Sequence, residues 1–166
     1  MATNYERAFA ERPEVYAAWQ QLNGAIKAGM DLRRYELATF AAAQRLRSSY
    51  CSLAHGKVLR DLGERPAEIA RDRHAAGLDE TDRAIMDLAE RVVADATAIT
   101  DSDLQRLREL GLSDDDIMDV VLAAAGRCFF SKALDALGIL PDASYMDEYA
   151  PEDLDALVVG RPIARS

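Results

Sequence analysis

Two cysteines, Cys51 and Cys128, are too few for a disulfide scaffold in a chain of 166 residues, so each is expected to be a free thiol in a reducing compartment. No apolar run approaches the roughly 18 to 20 residues that a membrane-spanning helix needs. The opening stretch MATNYERAFAERPE has neither the basic flank nor the apolar core of a signal peptide, and a cytoplasmic address is the expectation. Basic residues are also scarce. Lys and Arg total 20 against 29 Asp and Glu, a net charge of -9, which repels phosphate backbones and anionic lipid and argues against nucleic-acid and membrane partners. Neither HExxH nor a CxxC pair occurs, so no metal or bound cofactor is expected. Sustained alternation of apolar and polar residues is missing too, which removes the main signal for strands.

What remains is a composition that folds. The chain is 49% hydrophobic and 30% charged, and at this length about two-thirds of the extended surface can be buried in one core. Apolar residues recur at helical spacing between helix-stop signals, so the expected class is all-α. Pro13 suits the first turn of a helix carrying Val15, Trp19, Leu22 and Ile26, closed by Gly29. Asp31 is a cap for an apolar, alanine-rich helix running to about Leu46, and Ser48 and Ser49 interrupt the pattern before another helix that ends at Gly63. A short helix follows Pro66, and Asp79 starts a longer amphipathic one. Thr100 with Asp103, and Ser113 with Asp116, have the spacing of capping boxes for two more. The last and most apolar helix spans about Asp114 to Leu137, before Gly138 and Pro141. Residues 1–141 thus form the expected helical domain, and 142–166 an acidic tail that either wraps a neighbouring subunit or hangs loose.

The chemistry concentrates between Glu36 and His55, in ELATFAAAQRLRSSYCSLAH. With a cap at Ser48 or Ser49, Cys51 falls in the first turn of its helix, where free amides and the helix dipole favour an anion. His55 follows by four residues, on the same helix face and within reach for proton exchange. Glu36 precedes Cys51 by fifteen residues, about 22 Å along a continuous helix, and joins the site only if the chain turns near Arg47 to Ser49. Each residue also has a structural reading. Cysteine is a common small core side chain, a single histidine is often a satisfied polar group, and a glutamate near a helix start complements the dipole. Cys128 falls on the stripe of Ile117, Val121 and Ala124 and reads as packed core. Arg127 and Lys132 are placed equally well beside the site or in solvent.

The same stretch closely resembles the carboxymuconolactone decarboxylase and alkylhydroperoxidase AhpD-like superfamily, in its peroxidase-related branch. Its motif is a glutamate, a catalytic cysteine fifteen residues later within CxxC, and a histidine four residues after that. Glu36, Cys51 and His55 match all three, and the likeness extends through LDETDRAIMDLAERVV, DSDLQRLRELGLSDDDIMDVVLAAA and ALDALGI. The resemblance implies an AhpD-like helical bundle assembled as a trimer or hexamer. It implies thiol peroxidase chemistry with Cys51 as nucleophile, His55 as proton partner, Glu36 as relay acid, a small peroxide as substrate and an outside thiol as reductant. Ser48 stands where the motif has its first cysteine, the one that resolves the sulfenic acid, and is expected to act as a hydrogen-bond partner instead. Tyr50 stands where some relatives carry a second relay histidine. Two alternatives accompany this reading: a lactone decarboxylase of the same superfamily, and a non-catalytic oligomer that senses oxidants through Cys51.

Overall fold

The computed structural model describes residues 2–165, and those residues contain ten α-helices, one short 3-10 turn and no strand. The helices are α1 Asn4–Phe9, α2 Pro13–Ala28, α3 Leu32–Leu46, α4 Ser49–Asp61, α5 Pro66–Arg71, α6 Glu80–Asp95, α7 Asp101–Glu109, α8 Asp114–Ala136, α9 Tyr145–Glu148 and α10 Pro151–Leu157. The cap signals act as the sequence predicts. Asp31 accepts from the Arg34 amide, and Thr100/Asp103 and Ser113/Asp116 close reciprocal capping boxes. No helix among the described residues is long and apolar enough to cross a membrane.

Helix α3 is the axis of the bundle. Every residue from Tyr35 to Ala43 is buried, because α4, α6 and α8 pack around it and its alanines let their backbones approach. Leu37, Phe40, Leu53, Leu59, Ile85, Met86 and Val120 fill the space between these helices. Arg47 ends α3 in the left-handed conformation at φ 57°, and its amide closes the helix on Ala43 and Gln44. The chain then reverses into α4, so the turn expected near Arg47 to Ser49 is present.

Three helices escape the periodicity analysis. Helix α1 is a single turn and a half held by a Thr3/Glu6 capping box, with Phe9 on its inner face. Helices α9 and α10 lie in the acidic tail, which packs on α4 and α5 of its own chain: Leu157 is fully buried, and the Tyr149 hydroxyl donates to the Leu53 carbonyl at 2.7 Å. Gly160 then passes so close to the α3–α4 turn that a Cβ would lie 1.9 Å from the Arg47 carbonyl oxygen, while its amide donates to Ser49 Oγ at 2.8 Å. The end of the chain thereby braces the turn that starts the cysteine helix.

Candidate active site

The reversal at Arg47 folds α4 back along α3, and two residues nineteen apart in sequence meet. His55 Nδ1 lies 2.6 Å from Glu36 Oε2. Thr39 Oγ1, one turn along α3, lies 3.1 Å from the same nitrogen while donating to the Tyr35 carbonyl. The carboxylate accepts, so Nδ1 carries the proton and Nε2 is left as a lone-pair acceptor. Arg127 Nη1 donates to it at 3.2 Å, and the same nitrogen lies 3.9 Å from Cys51 Sγ. Glu36, His55, Arg127 and Cys51 form one continuous polar chain. Arg127 therefore stands between the sulfur and the imidazole that the helical spacing pairs directly.

Arg127 comes from α8 and is 5% exposed. Its guanidinium packs over Trp19 and Phe130, with centroid distances of 5.0 and 5.3 Å, and Nη2 donates to Asn23 Oδ1 at 3.0 Å. Asn23 also accepts from the Tyr35 hydroxyl at 2.7 Å. Lys27 pairs with the second oxygen of Glu36 at 3.2 Å. Sequence reasoning misses Asn23, Tyr35 and Thr39, which carry no motif. Lys132, the other cation considered near the site, faces solvent.

Burial pushes Glu36 upward, but the His55 hydrogen bond and the Lys27 ammonium outweigh it and leave the acid below its ordinary value of 4.5. Burial and the Arg127 charge together hold His55 below its ordinary 6.5, against the pull of Glu36. The imidazole is thus neutral near pH 7, in agreement with its hydrogen bonds. Acidification through pH 6.5 protonates this group in the unfolded chain first, so its stabilising contribution fades from there down to the folded-state value. Glu36 acts in the same direction at lower pH, losing its contribution as pH falls through its depressed value. Thermal melts should accordingly drop as the pH falls through His55's ordinary value of 6.5, and His55→Gln should flatten that drop; parallel curves for the two proteins would contradict the assignment.

Of the other predicted residues, Ser48, Tyr50 and Cys128 do not join the chain that ends at Cys51. Cys51, 2% exposed, is the third residue of α4. Ser48 is the N-cap by backbone position, yet its hydroxyl is fully buried without a hydrogen-bond partner. It lies near Asp135, whose carboxyl is raised by burial. Ser48 makes no hydrogen bond to the sulfur. Tyr50 turns its hydroxyl to Asp142, and burial together with that acid pushes its phenol up, so it stays protonated. Its ring sits edge-on to Tyr5 of α1 at 5.6 Å. Asp142 also accepts from the Asn4 amide at 2.8 Å, which ties α1 across the cysteine helix. Cys128 is half-buried on α8, and both cysteines are free thiols.

These side chains line a cavity of about 460 Å³ between α1, α2, α3, α4 and α8. Trp19 and Phe130 stack at 5.1 Å to form one wall, and Tyr5, Tyr16 and Tyr35 complete an aromatic lining. A larger groove of about 910 Å³ beside α6 and α7 is lined by arginines and acids that largely pair with one another, and it contains no thiol. Glu36, Cys51, His55 and Arg127 all line the smaller cavity. Among the described residues no group of three or more His, Cys, Asp or Glu side chains is arranged to hold a metal ion.

Residues 13–72, which contain Glu36, Cys51 and His55, match the carboxymuconolactone decarboxylase family. Beyond that segment the likeness is one of fold, the AhpD-like helical bundle. Two crystal structures share its fold. One is an alkylhydroperoxidase AhpD core, an uncharacterized peroxidase-related protein from Ralstonia eutropha JMP134, with a TM-score of 0.80 and 22% identity over 87% of this chain and 80% of that one. The other is an uncharacterized peroxidase-related protein from Silicibacter sp. TM1040, with a TM-score of 0.78 and 23% identity over 87% and 79% of the two chains. No curated protein matches the sequence. The AhpD-like core holds the site on three of its helices: α3 supplies the acid, α4 the thiol and imidazole, and α8 the guanidinium.

Proposed function

We propose that this AhpD-like protein is a thiol-dependent peroxidase with Cys51 as its peroxidatic residue. The observation that carries this reading is the polar chain from Glu36 through His55 and Arg127 to Cys51, lining an aromatic cavity. The peroxidase-related description of the two structural neighbours supports it. In the reaction, the Cys51 thiolate attacks one oxygen of a hydroperoxide, an S–O bond forms, the O–O bond breaks, and the departing alkoxide takes up a proton. Sulfur has then lost two electrons as sulfenic acid. An outside thiol condenses with it, releasing water, and a second thiol restores Cys51. The Glu36–His55 pair manages protons within the cavity, and the aromatic walls favour an organic hydroperoxide over hydrogen peroxide.

The test is steady-state consumption of cumene hydroperoxide with dithiothreitol. Glu36→Gln and His55→Ala should slow it by about tenfold to a hundredfold while leaving the fold intact. Unchanged rates in folded variants would reduce both residues to structural ones. A lactone decarboxylase is the second reading, favoured by the buried acid–imidazole pair; it predicts activity on a carboxylated lactone that survives replacement of Cys51. A redox sensor would show reversible oxidation of Cys51 without turnover of any peroxide.

We also infer that the protein works as a homo-oligomer. Trp19 and Tyr149, aromatics suited to a contact surface, are buried inside the protomer, and Tyr145 is partly buried. A different apolar surface is exposed: Met118, Leu122 and Phe129 on one side of α8, beside Val15 and Leu22 of α2. The sequence places Val15 and Leu22 on the inner stripe of α2 with Trp19 and Ile26, but in the structure they face outward. A lysine at Leu122 should shift the sedimentation of the protein toward a monomer; a monomeric wild type at micromolar concentration would overturn the inference.

A further inference from the structure

Three charged side chains are buried among the described residues, and two of them are neutralised by a partner. Glu36 meets Lys27, and Asp82 accepts two bonds from Arg33 at 2.7 and 2.8 Å. Arg127 is the exception. It makes no ion pair among the described residues, its neighbours are a neutral amide, a neutral imidazole and two aromatic faces, and its Nε has no hydrogen-bond partner. An uncompensated buried charge is costly, and Arg cannot shed its proton to escape the cost. A fold that keeps such a cation at the wall of a cavity holds it for an anion. The nearest group able to become one is Cys51, whose sulfur lies 3.9 Å from Nη1 at the amino-terminal turn of α4, where the helix dipole adds positive potential.

We propose that the missing counterion of Arg127 is the Cys51 sulfur, as thiolate before it meets a peroxide and as sulfenate afterwards, which makes Arg127 a catalytic residue of this site. The sulfenate half rests on the peroxidase reading; the thiolate half does not. The guanidinium supplies more than charge. Its Nη1 is oriented by His55 Nε2, which is oriented in turn by Glu36, so the acid and the imidazole act on the sulfur as positioning residues through Arg127. The same arrangement explains why an imidazole held neutral can serve a thiolate. The positive charge comes from the arginine, and the histidine contributes an acceptor that fixes it in place. After oxidation, the negative oxygen of the sulfenate finds the fork of N–H donors that the thiolate used, which holds the oxidised sulfur for the reducing thiol.

Two measurements test this without any peroxide. In a Cys128→Ser background, alkylation of Cys51 at about pH 7 is followed with neutral iodoacetamide and with anionic iodoacetate. Arg127→Met should slow iodoacetamide by about tenfold, the equivalent of one ordinary charge partner. It should slow iodoacetate more, lowering the iodoacetate to iodoacetamide rate ratio, while Arg127→Lys keeps that ratio near the wild-type value. A structural arginine would leave the ratio unmoved. The second measurement leaves Arg127 in place and so remains informative if its replacements fail to fold. Cys51→Asp supplies a permanent anion where Cys51→Asn supplies a neutral side chain of the same shape, and the aspartate variant should have the higher melting temperature at about pH 7. An unchanged ratio in folded Arg127→Met, or an asparagine variant that melts at the same temperature or higher, overturns the proposal. Both expected results in a protein that consumes no hydroperoxide would uphold the role of Arg127 and reject the peroxidase reading instead.

Discussion

Replacing Cys51 with serine is expected to lower peroxide consumption by more than about a thousandfold, while Cys128→Ser keeps most of it. The asymmetry follows from surroundings rather than from the thiols. Cys51 opens on the aromatic cavity at the start of α4 and has a guanidinium nitrogen 3.9 Å from its sulfur. Cys128 sits on α8 next in sequence to Arg127, but a one-residue step rotates a helical side chain by about 100°, so the two point to different sides of α8. Nothing charged attends its sulfur in the hydrogen-bond network. The measurement is steady-state turnover of an organic hydroperoxide with excess dithiothreitol, with circular dichroism to confirm that both variants fold. Equal loss in the two variants would make Cys128 the resolving thiol. Retained turnover in Cys51→Ser would remove thiol chemistry altogether and leave the acid–imidazole pair as the remaining catalyst.

The second large effect is a gain. Ser48→Cys should raise turnover with dithiol reductants by about tenfold and protect the protein against inactivation by excess peroxide. Serine and cysteine differ little in size, and the Ser48 hydroxyl is fully buried with no hydrogen-bond partner, so the exchange sacrifices no bond within the protein. It places a second thiol at the cap of α4, three residues before Cys51, where it can capture the sulfenic acid before a second peroxide oxidises it further. In the proposed cycle of the natural protein, that capture waits for an outside thiol. Assays of both proteins across a range of peroxide concentrations are decisive. A variant whose introduced thiol forms a disulfide with Cys51, yet which gains neither rate nor resistance, would show that resolution does not limit the cycle.

How much of this is legible without coordinates differs from residue to residue. The capping boxes at Thr100 and Ser113, the cap at Asp31 and the reversal after Leu46 are local features, set within one turn of helix by side chains that bond to nearby amides. The caps are readable for that reason, and the reversal, which the Arg47 amide closes on the Ala43 and Gln44 carbonyls, is readable from the break in the apolar pattern at Ser48 and Ser49. Helix α1 is not, because a six-residue helix is too short to show a period, and its stability comes from Asp142 and Phe130, more than a hundred residues away. The tail helices escape on the same ground: their apolar residues have meaning only against α4 and α5. Arg127 is the instructive case. The pattern of Ile117, Val121, Ala124 and Cys128 predicts one inward face, whereas the buried stripe of α8 runs through Val120, Ala124, Arg127, Ser131 and Leu134. The helix is apolar nearly all round, so its composition carries no phase and leaves Arg127 equally placed beside the site or in solvent.

By itself the sequence determined the all-α class, the main helices and the candidate trio of Glu36, Cys51 and His55, because periodicity, caps and short spacings are written in neighbouring residues. Only the tertiary structure decided how that trio is connected. The 2.6 Å contact between Glu36 and His55 exists because α4 folds back on α3 at Arg47, and the guanidinium between His55 and Cys51 arrives on a helix more than seventy residues downstream. Charge balance in a buried cavity depends on every side chain that reaches it, from whatever distance along the chain. No local pattern records that sum, and it is the sum that leaves Arg127 without a counterion and Cys51 as the group placed to supply one.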